Sequence, residues 1–104
     1  MDNEKYNGWH NRATWAFNLW ITNTEGDYNY WLEKAKASDD INELAEKMKE
    51  YLQDLKQDII DNPENTTKEA RNMLMDIGEI ENIDYYEVAK GFFEEAKEIK
   101  KASA

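Results

Sequence analysis

The sequence has no cysteine, one proline and only four glycines. The absence of cysteine excludes disulfides, thiolate nucleophiles and thiolate metal sites, and it suits a reducing compartment. Scarce glycine and proline favour long regular elements over loops. No apolar run approaches the roughly 20 residues of a membrane span, and the first residues lack the pattern of a signal peptide. We therefore expect a cytoplasmic protein that does not engage a membrane.

Basic residues are also in short supply, since 13 lysines and arginines accompany 23 acidic residues and leave a net charge of −10. Residues 38–65 hold nine of the acids and three of the bases. Such a surface repels phosphate, so direct binding of nucleic acid or of an anionic membrane is disfavoured. It attracts a basic protein surface instead, although excess acid can also serve solubility alone.

What the sequence does contain is a series of helix signals. Three capping boxes, in which a cap residue is followed three positions later by glutamate, mark helix starts. The boxes are Asp40 with Glu43, Thr66 with Glu69, and Asp84 with Glu87. An apolar stripe of helical spacing follows each box. The first stripe is stopped by Asn62-Pro63, and the other two helices are expected to end near Gly78 and Lys100.

The segment 7–31 contains all four tryptophans. Asn7-Gly8 predicts a turn, and Asn11 can cap a helix over residues 13–22. Part of this helix also alternates in polarity in the manner of a strand. A strand must pair, however, and no other segment alternates convincingly, so we favour the helix.

Gly26 is expected to end this first helix with a positive φ, and Asp27 to cap a short second helix over residues 28–37. Together the patterns predict an all-α fold, with residues 1–104 forming a single helical domain. We expect a compact bundle of about five helices around the aromatic N-terminal helix. That helix is expected to pack against the long third helix.

The long helix carries most of its acids in one row. On a wheel of 100° per residue they lie within about 60° of Glu43. Members four residues apart repel each other at a cost of roughly 0.2–0.5 kcal/mol per pair. We select this acidic row as the first partner-binding candidate: Glu43, Glu46, Glu50, Asp54, Asp58 and Asp61. It is either an ordinary solvated face or a rod of charge that competes with nucleic acid for a basic groove.

Trp9 and Trp20 are the second partner-binding candidates, because an exposed tryptophan anchors interfaces well. Most of the remaining aromatic segment is expected in the core.

No pattern indicates catalysis. His10 is the only histidine, the serines lie outside nucleophile motifs, and there is no glycine-rich phosphate loop. We therefore expect neither an enzyme nor a cofactor or metal site. Arg12 is expected to pair with a carboxylate.

Residues 7–20 follow the pattern N-G-W-x-N-x-A-T-W-x3-L-W, and Ile21 and Gly26-x-Tyr28 come next. This segment resembles the N-terminal signature of a family of small proteins encoded by phages and other mobile elements, most of which have no assigned activity. The resemblance covers a quarter of the chain. It implies a genomic setting in which small acidic proteins often block host defence nucleases, as anti-restriction and anti-CRISPR inhibitors do.

Charge and resemblance together predict an inhibitor of a host nuclease or CRISPR effector, bound through the acidic row in the cytoplasm of the host cell. The alternative is a helical adaptor or regulatory module that docks a partner through Trp9 and Trp20. Salt should weaken the first binding mode and spare the second. The sequence leaves the partner's identity open and is compatible with a homodimer.

Overall fold

A computed structural model describes residues 6–103, with side chains from Tyr6 to Ile99. Within this part of the chain, five α-helices and two short 3-10 helices follow one another without a strand. The α-helices are α1 (Arg12–Thr22), α2 (Glu25–Lys36), α3 (Ile41–Asp61), α4 (Lys68–Ile77) and α5 (Tyr85–Ser103). The 3-10 helices are Pro63–Asn65 and Ile80–Asn82. The predicted all-α fold with five helices is therefore confirmed, and residues 13–22 are helical.

The centre of the bundle is the contact between α3 and α5. Fully buried side chains from both helices fill it: Leu44, Met48, Leu52, Val88 and Ala89. The main neighbours of α1 are α4 and α2. The expected packing of α1 against the long helix is wrong, because α5 covers the apolar stripe of α3 instead.

The inner face of α1 is built from small and aliphatic side chains around one phenylalanine. The buried residues are Ala13, Thr14, Ala16, Phe17 and Ile21. Trp15 and Trp20 lie at the edges of this face, where they are half-buried against the core. Trp31 of α2 is the one tryptophan that is fully buried, with 3% of its surface exposed. The tryptophans therefore border the core more than they fill it.

The start of α3 is the predicted one. The Asp40 carboxylate accepts a hydrogen bond from the backbone N–H of Glu43 at 2.8 Å. The Glu43 carboxylate in turn accepts from the backbone N–H of Asp39 at 2.9 Å. Two otherwise unpaired N–H groups are satisfied in this way.

Two other caps differ from the prediction. The Thr24 hydroxyl accepts from the backbone N–H of Asp27, so α2 starts earlier and Gly26 lies inside it without a positive φ. The cap of α4 is Thr67 rather than Thr66, and it accepts from the N–H of Ala70 at 3.0 Å. In both places the hydroxyl that caps the helix belongs to a threonine other than the predicted cap residue.

The connection between α4 and α5 is held by buried isoleucines. Gly78 ends α4 with a φ of +85°, as the sequence predicts, and a left-handed backbone favours glycine there. Ile80 and Ile83 are 4% and 5% exposed. Their burial attaches this connection to the core.

Candidate functional site

The polar residues of the N-terminal signature are used to hold this segment onto the fold. At Asn7-Gly8 both central residues have positive φ, 48° and 89°, as a tight reverse turn requires. Tyr6 and Trp9 exchange backbone hydrogen bonds of 2.7 and 2.8 Å across this turn. The Tyr6 ring then packs against Trp15, with 5.0 Å between ring centroids.

Asn11 and Thr14 join the start of α1 to the segment before α5. The Asn11 side chain accepts from both the backbone N–H and the hydroxyl of Thr14, at 2.9 and 2.7 Å. It also donates to the carbonyl of Asn82 at 2.7 Å. The buried Thr14 hydroxyl accepts from the backbone N–H of Asp84 at 2.9 Å. The signature residues thereby satisfy backbone groups of two separate elements.

Glu87, the glutamate of the third capping box, binds the N-terminal segment instead of capping its own helix. Its carboxylate accepts from the backbone N–H of His10 at 2.9 Å. The Asp84 carboxylate still accepts from the N–H of Glu87 at 3.1 Å. Half of the predicted capping box is therefore formed, and the other half becomes a tertiary contact.

Asp76 at the end of α4 gathers two side chains of α1. The Trp20 indole N–H donates to its carboxylate at 2.8 Å, and the Arg12 guanidinium donates to the same carboxylate at 2.9 Å. These two hydrogen bonds, the one from Trp20 foremost, lower the pKa of Asp76. Arg12 thus pairs with a carboxylate, as expected.

The two tryptophan candidates lie apart from each other. Trp20 is half-buried and its indole N–H is occupied by Asp76. Trp9 is also half-buried and packs against the core next to the N-terminal turn. Neither offers the exposed ring that the adaptor hypothesis requires.

The acidic row lies on α3, and the carboxylates at its two ends have polar partners. Glu43 forms an ion pair with Lys47 at 3.3 Å. The pKa of Glu43 is lowered by the hydrogen bond from the Asp39 N–H and then by Lys47. Asp61 accepts a hydrogen bond from the Gln57 amide at 3.0 Å.

The members between these ends are the free carboxylates: Glu46, Glu50, Asp54 and Asp58. All four are exposed. Among the described residues they have no ion-pair or hydrogen-bond partner for their side chains. They follow one another every four residues, so they span about 18 Å along the helix axis at 1.5 Å per residue. The other two lysines of α3 form no ion pair with them, since Lys56 pairs with Glu81 at 3.6 Å and Lys49 forms no ion pair among the described residues.

A cavity of about 370 Å³ opens beside the acidic row, where the end of α1 and the starts of α2 and α4 meet α3. Its walls include Trp20, Trp31 and Tyr51, together with the carboxylate-bearing Asp27 and Glu69. The Trp31 and Tyr51 rings meet edge to face, with 5.3 Å between their centroids.

The sequence did not predict this cavity. The helical spacing places Tyr51 in the apolar stripe of α3, yet the residue is 40% exposed. The sequence does contain one signal for this exposure. On the helix wheel Tyr51 lies about 60° from Asp54, which places it at the border between the apolar stripe and the acidic row. The other walls come from three further helices, and no local pattern predicts their meeting.

Two further features are absent from the described residues. No helix there is both long enough and apolar enough to cross a membrane. No group of three or more histidine or acidic side chains there is arranged to hold a metal ion.

Comparison with known protein families identifies the family of the chain. A family of unknown function, DUF7249, matches residues 2–101. No curated protein and no solved structure matches the chain. The match spans the N-terminal signature, the acidic row and the cavity, so all three lie within the family's extent.

Proposed function

The chain belongs to DUF7249, a family of unknown function, and we propose from its own surface that it is an inhibitor that occupies a nucleic-acid-binding groove on another protein. The acidic row meets the basic lining of the groove and keeps out the DNA or RNA that the groove normally holds. The action is steric and electrostatic.

The observation that carries this proposal is the line of four free carboxylates on α3. Each of the three pairs of neighbours, four residues apart, destabilises the helix by ~0.2–0.5 kcal/mol, or about 1 kcal/mol in total. A lysine at one of these positions would turn repulsion into attraction. The chain instead keeps the charges aligned and exposed, which favours a role in binding over a role in stability.

The arrangement also resembles the charge pattern of a nucleic acid strand. Such a strand presents negative charges at regular intervals along one direction, and the free carboxylates do so along about 18 Å of helix. A groove lined with lysine and arginine attracts either one, and the attraction weakens as salt rises.

We propose more narrowly that the target is a host defence effector, a CRISPR or restriction nuclease. The support is the resemblance of residues 7–31 to proteins of phages and mobile elements. Effectors of the CRISPR type hold their nucleic acids in positively charged channels, which is the kind of surface that the acidic row fits.

The first test is capture from a bacterial host lysate on the immobilised protein, with parallel elution by sodium chloride and by duplex DNA. We expect nucleic-acid-binding proteins that both eluents release. The double variant Glu50→Lys with Asp54→Lys should lose the capture, because half of the free carboxylates become cations.

The matched control is Glu94→Lys with Glu98→Lys, which changes two exposed carboxylates of α5 that are also four residues apart. The net charge changes by the same amount, so capture should persist if position on α3 decides it. Circular dichroism checks that both variants stay helical. Equal capture by all three proteins, or captured proteins that DNA does not release, would disprove the proposal.

The adaptor alternative has less support. It requires Trp9 and Trp20 to present exposed rings, and both are half-buried against the core. Trp9→Ala would nevertheless separate the two functions, since only an adaptor of this kind loses salt-insensitive binding when that ring is removed.

A further inference from the structure

The cavity beside the acidic row has walls that suit one kind of chemical group. Trp20, Tyr51, Asp27 and Glu69 are among the residues that line it, and no lysine, arginine or histidine does. Asp27 and Glu69 are exposed, and among the described residues neither forms an ion pair. The cavity therefore offers aromatic surface and negative charge together.

We propose that this cavity receives an arginine side chain of the basic partner. A guanidinium is planar, so it stacks on an aromatic ring and at the same time donates paired hydrogen bonds to a carboxylate. A lysine ammonium is a compact, strongly hydrated charge that gains less from the ring. The proposal rests on the proposed function for the nature of the partner, and it adds the group that is recognised.

The electrostatic balance of the cavity favours a cation, although two helix N-termini lie close to it. Asp27 and Glu69 stand in the first turns of α2 and α4, and each helix start carries about +0.5 charge. Two carboxylates outweigh these two half-charges and leave about one negative charge. Burial and the charge of Asp27 both raise the pKa of Tyr51, so this carboxylate acts across the gap between α2 and α3.

The position of the cavity lets one partner reach both features. Tyr51 and Asp54 are three residues apart on α3 and therefore adjacent on its surface. A basic segment that lies along the free carboxylates can place one side chain over the Tyr51 ring. The acidic row then supplies attraction, and the cavity supplies selectivity for arginine.

The test uses two heptapeptides of alternating glycine and either arginine or lysine, titrated calorimetrically into the full-length protein at one ionic strength. We expect the arginine peptide to bind about five-fold more tightly, the factor expected when a ring contact of modest strength is gained. The indole N–H signal of Trp20 should shift in nitrogen–proton spectra on addition of the arginine peptide. The signal of Trp9, which lies outside the cavity, should stay in place.

Variants separate the cavity from the acidic row. Tyr51→Leu, and separately Asp27→Asn with Glu69→Gln, should remove the preference for arginine, and all three positions are exposed enough to tolerate the change. Glu50→Gln with Asp54→Asn should weaken both peptides alike and keep the preference.

A wild-type protein without a preference, or a preference that survives in both cavity variants, would overturn the cavity proposal and leave the proposed function intact. In the reverse result, the acidic-row variant binds both peptides as tightly as wild type, and the cavity variants lose the preference for arginine. That outcome would support the cavity and remove the proposed function.

Discussion

The buried hydroxyl of Thr14 accepts a hydrogen bond from the backbone N–H of Asp84, 70 positions further along the chain, at 2.9 Å. The same hydroxyl donates to the Asn11 side chain at 2.7 Å. One side chain therefore connects the cap of α1 to the residue that caps α5. The side chains of Asn11 and Thr14 therefore fasten the start of α1 to the start of α5.

Replacement of Thr14 tests this fastening. Thr14→Val keeps the shape but leaves the Asp84 N–H without its acceptor, so the free energy of unfolding should fall by about 2 kcal/mol. Thr22→Val is the control, because that hydroxyl is exposed and bonds within its own helix, and it should cost less than about 0.5 kcal/mol. Urea unfolding followed by circular dichroism measures both, and equal losses would contradict the assignment.

The contact of Asp76 with Trp20 and Arg12 predicts a dependence on pH. Because these hydrogen bonds lower the pKa of Asp76, its charged form favours the folded state. This contribution is present above the unfolded pKa of about 3.9 and is lost as the pH falls through the lower folded pKa. Asp76→Asn should therefore be less stable than wild type at pH 7, and the difference should shrink below about pH 4. A difference that is constant with pH would show that the charge of Asp76 plays no part.

Two glycines should respond to alanine in opposite directions. Gly78 has a φ of +85°, so Gly78→Ala forces a side chain into the left-handed region and should destabilise the fold by about 1–2 kcal/mol. Gly91 lies inside α5, and an added methyl group meets nothing within 4 Å. Gly91→Ala should therefore stabilise it by ~0.5–1 kcal/mol. Thermal unfolding resolves both shifts, and a common sign would contradict the backbone argument.

The acidic row should show a conflict between stability and binding. Asp54→Lys replaces two repulsive pairs, with Glu50 and Asp58, by two attractive ones, so stability at low salt should rise by about 1–2 kcal/mol. The gain should vanish in concentrated salt. The same variant should bind the captured partner more weakly. A variant that is more stable and binds as tightly as wild type would mean that the row is only a solvated surface.

The narrower proposal of a defence inhibitor predicts a phenotype in cells. Expression of the protein in a bacterial strain with an active CRISPR or restriction system should raise the plating efficiency of a targeted phage. The Glu50→Lys, Asp54→Lys variant should not raise it, whereas the Glu94→Lys, Glu98→Lys control should. An unchanged efficiency across several such systems would limit the function to some other nucleic-acid-binding partner.

The sequence predicted α3 best, because its signals are local. The Asp40 cap, the regular apolar stripe and the stop at Asn62-Pro63 all lie on the helix or next to it, and the observed bounds agree with them. The starts of α2 and α4 were misplaced because Thr24 and Thr67 compete with equally good neighbouring caps. Local sequence does not decide between Thr24 and Asp27 for α2, or between the adjacent Thr66 and Thr67 for α4.

Local sequence patterns could not predict which helices pack against α1, or that a cavity forms. The amphipathic face of α1 indicates that it packs on something, but α4, α2 and α3 all offer suitable stripes. The cavity needs Trp20, Tyr51 and Glu69 from three helices to converge, and a stripe pattern places each of them only on its own helix. Even so, the acidic row was predicted, because it lies on one helix face and depends on no tertiary contact.

All four free carboxylates belong to a single uninterrupted helix whose start is fixed by Asp40 and Glu43. The spacing of their backbone positions is consequently set before any encounter with a partner. Under the proposed function, a straight groove of matching span is therefore favoured over a curved or shorter one.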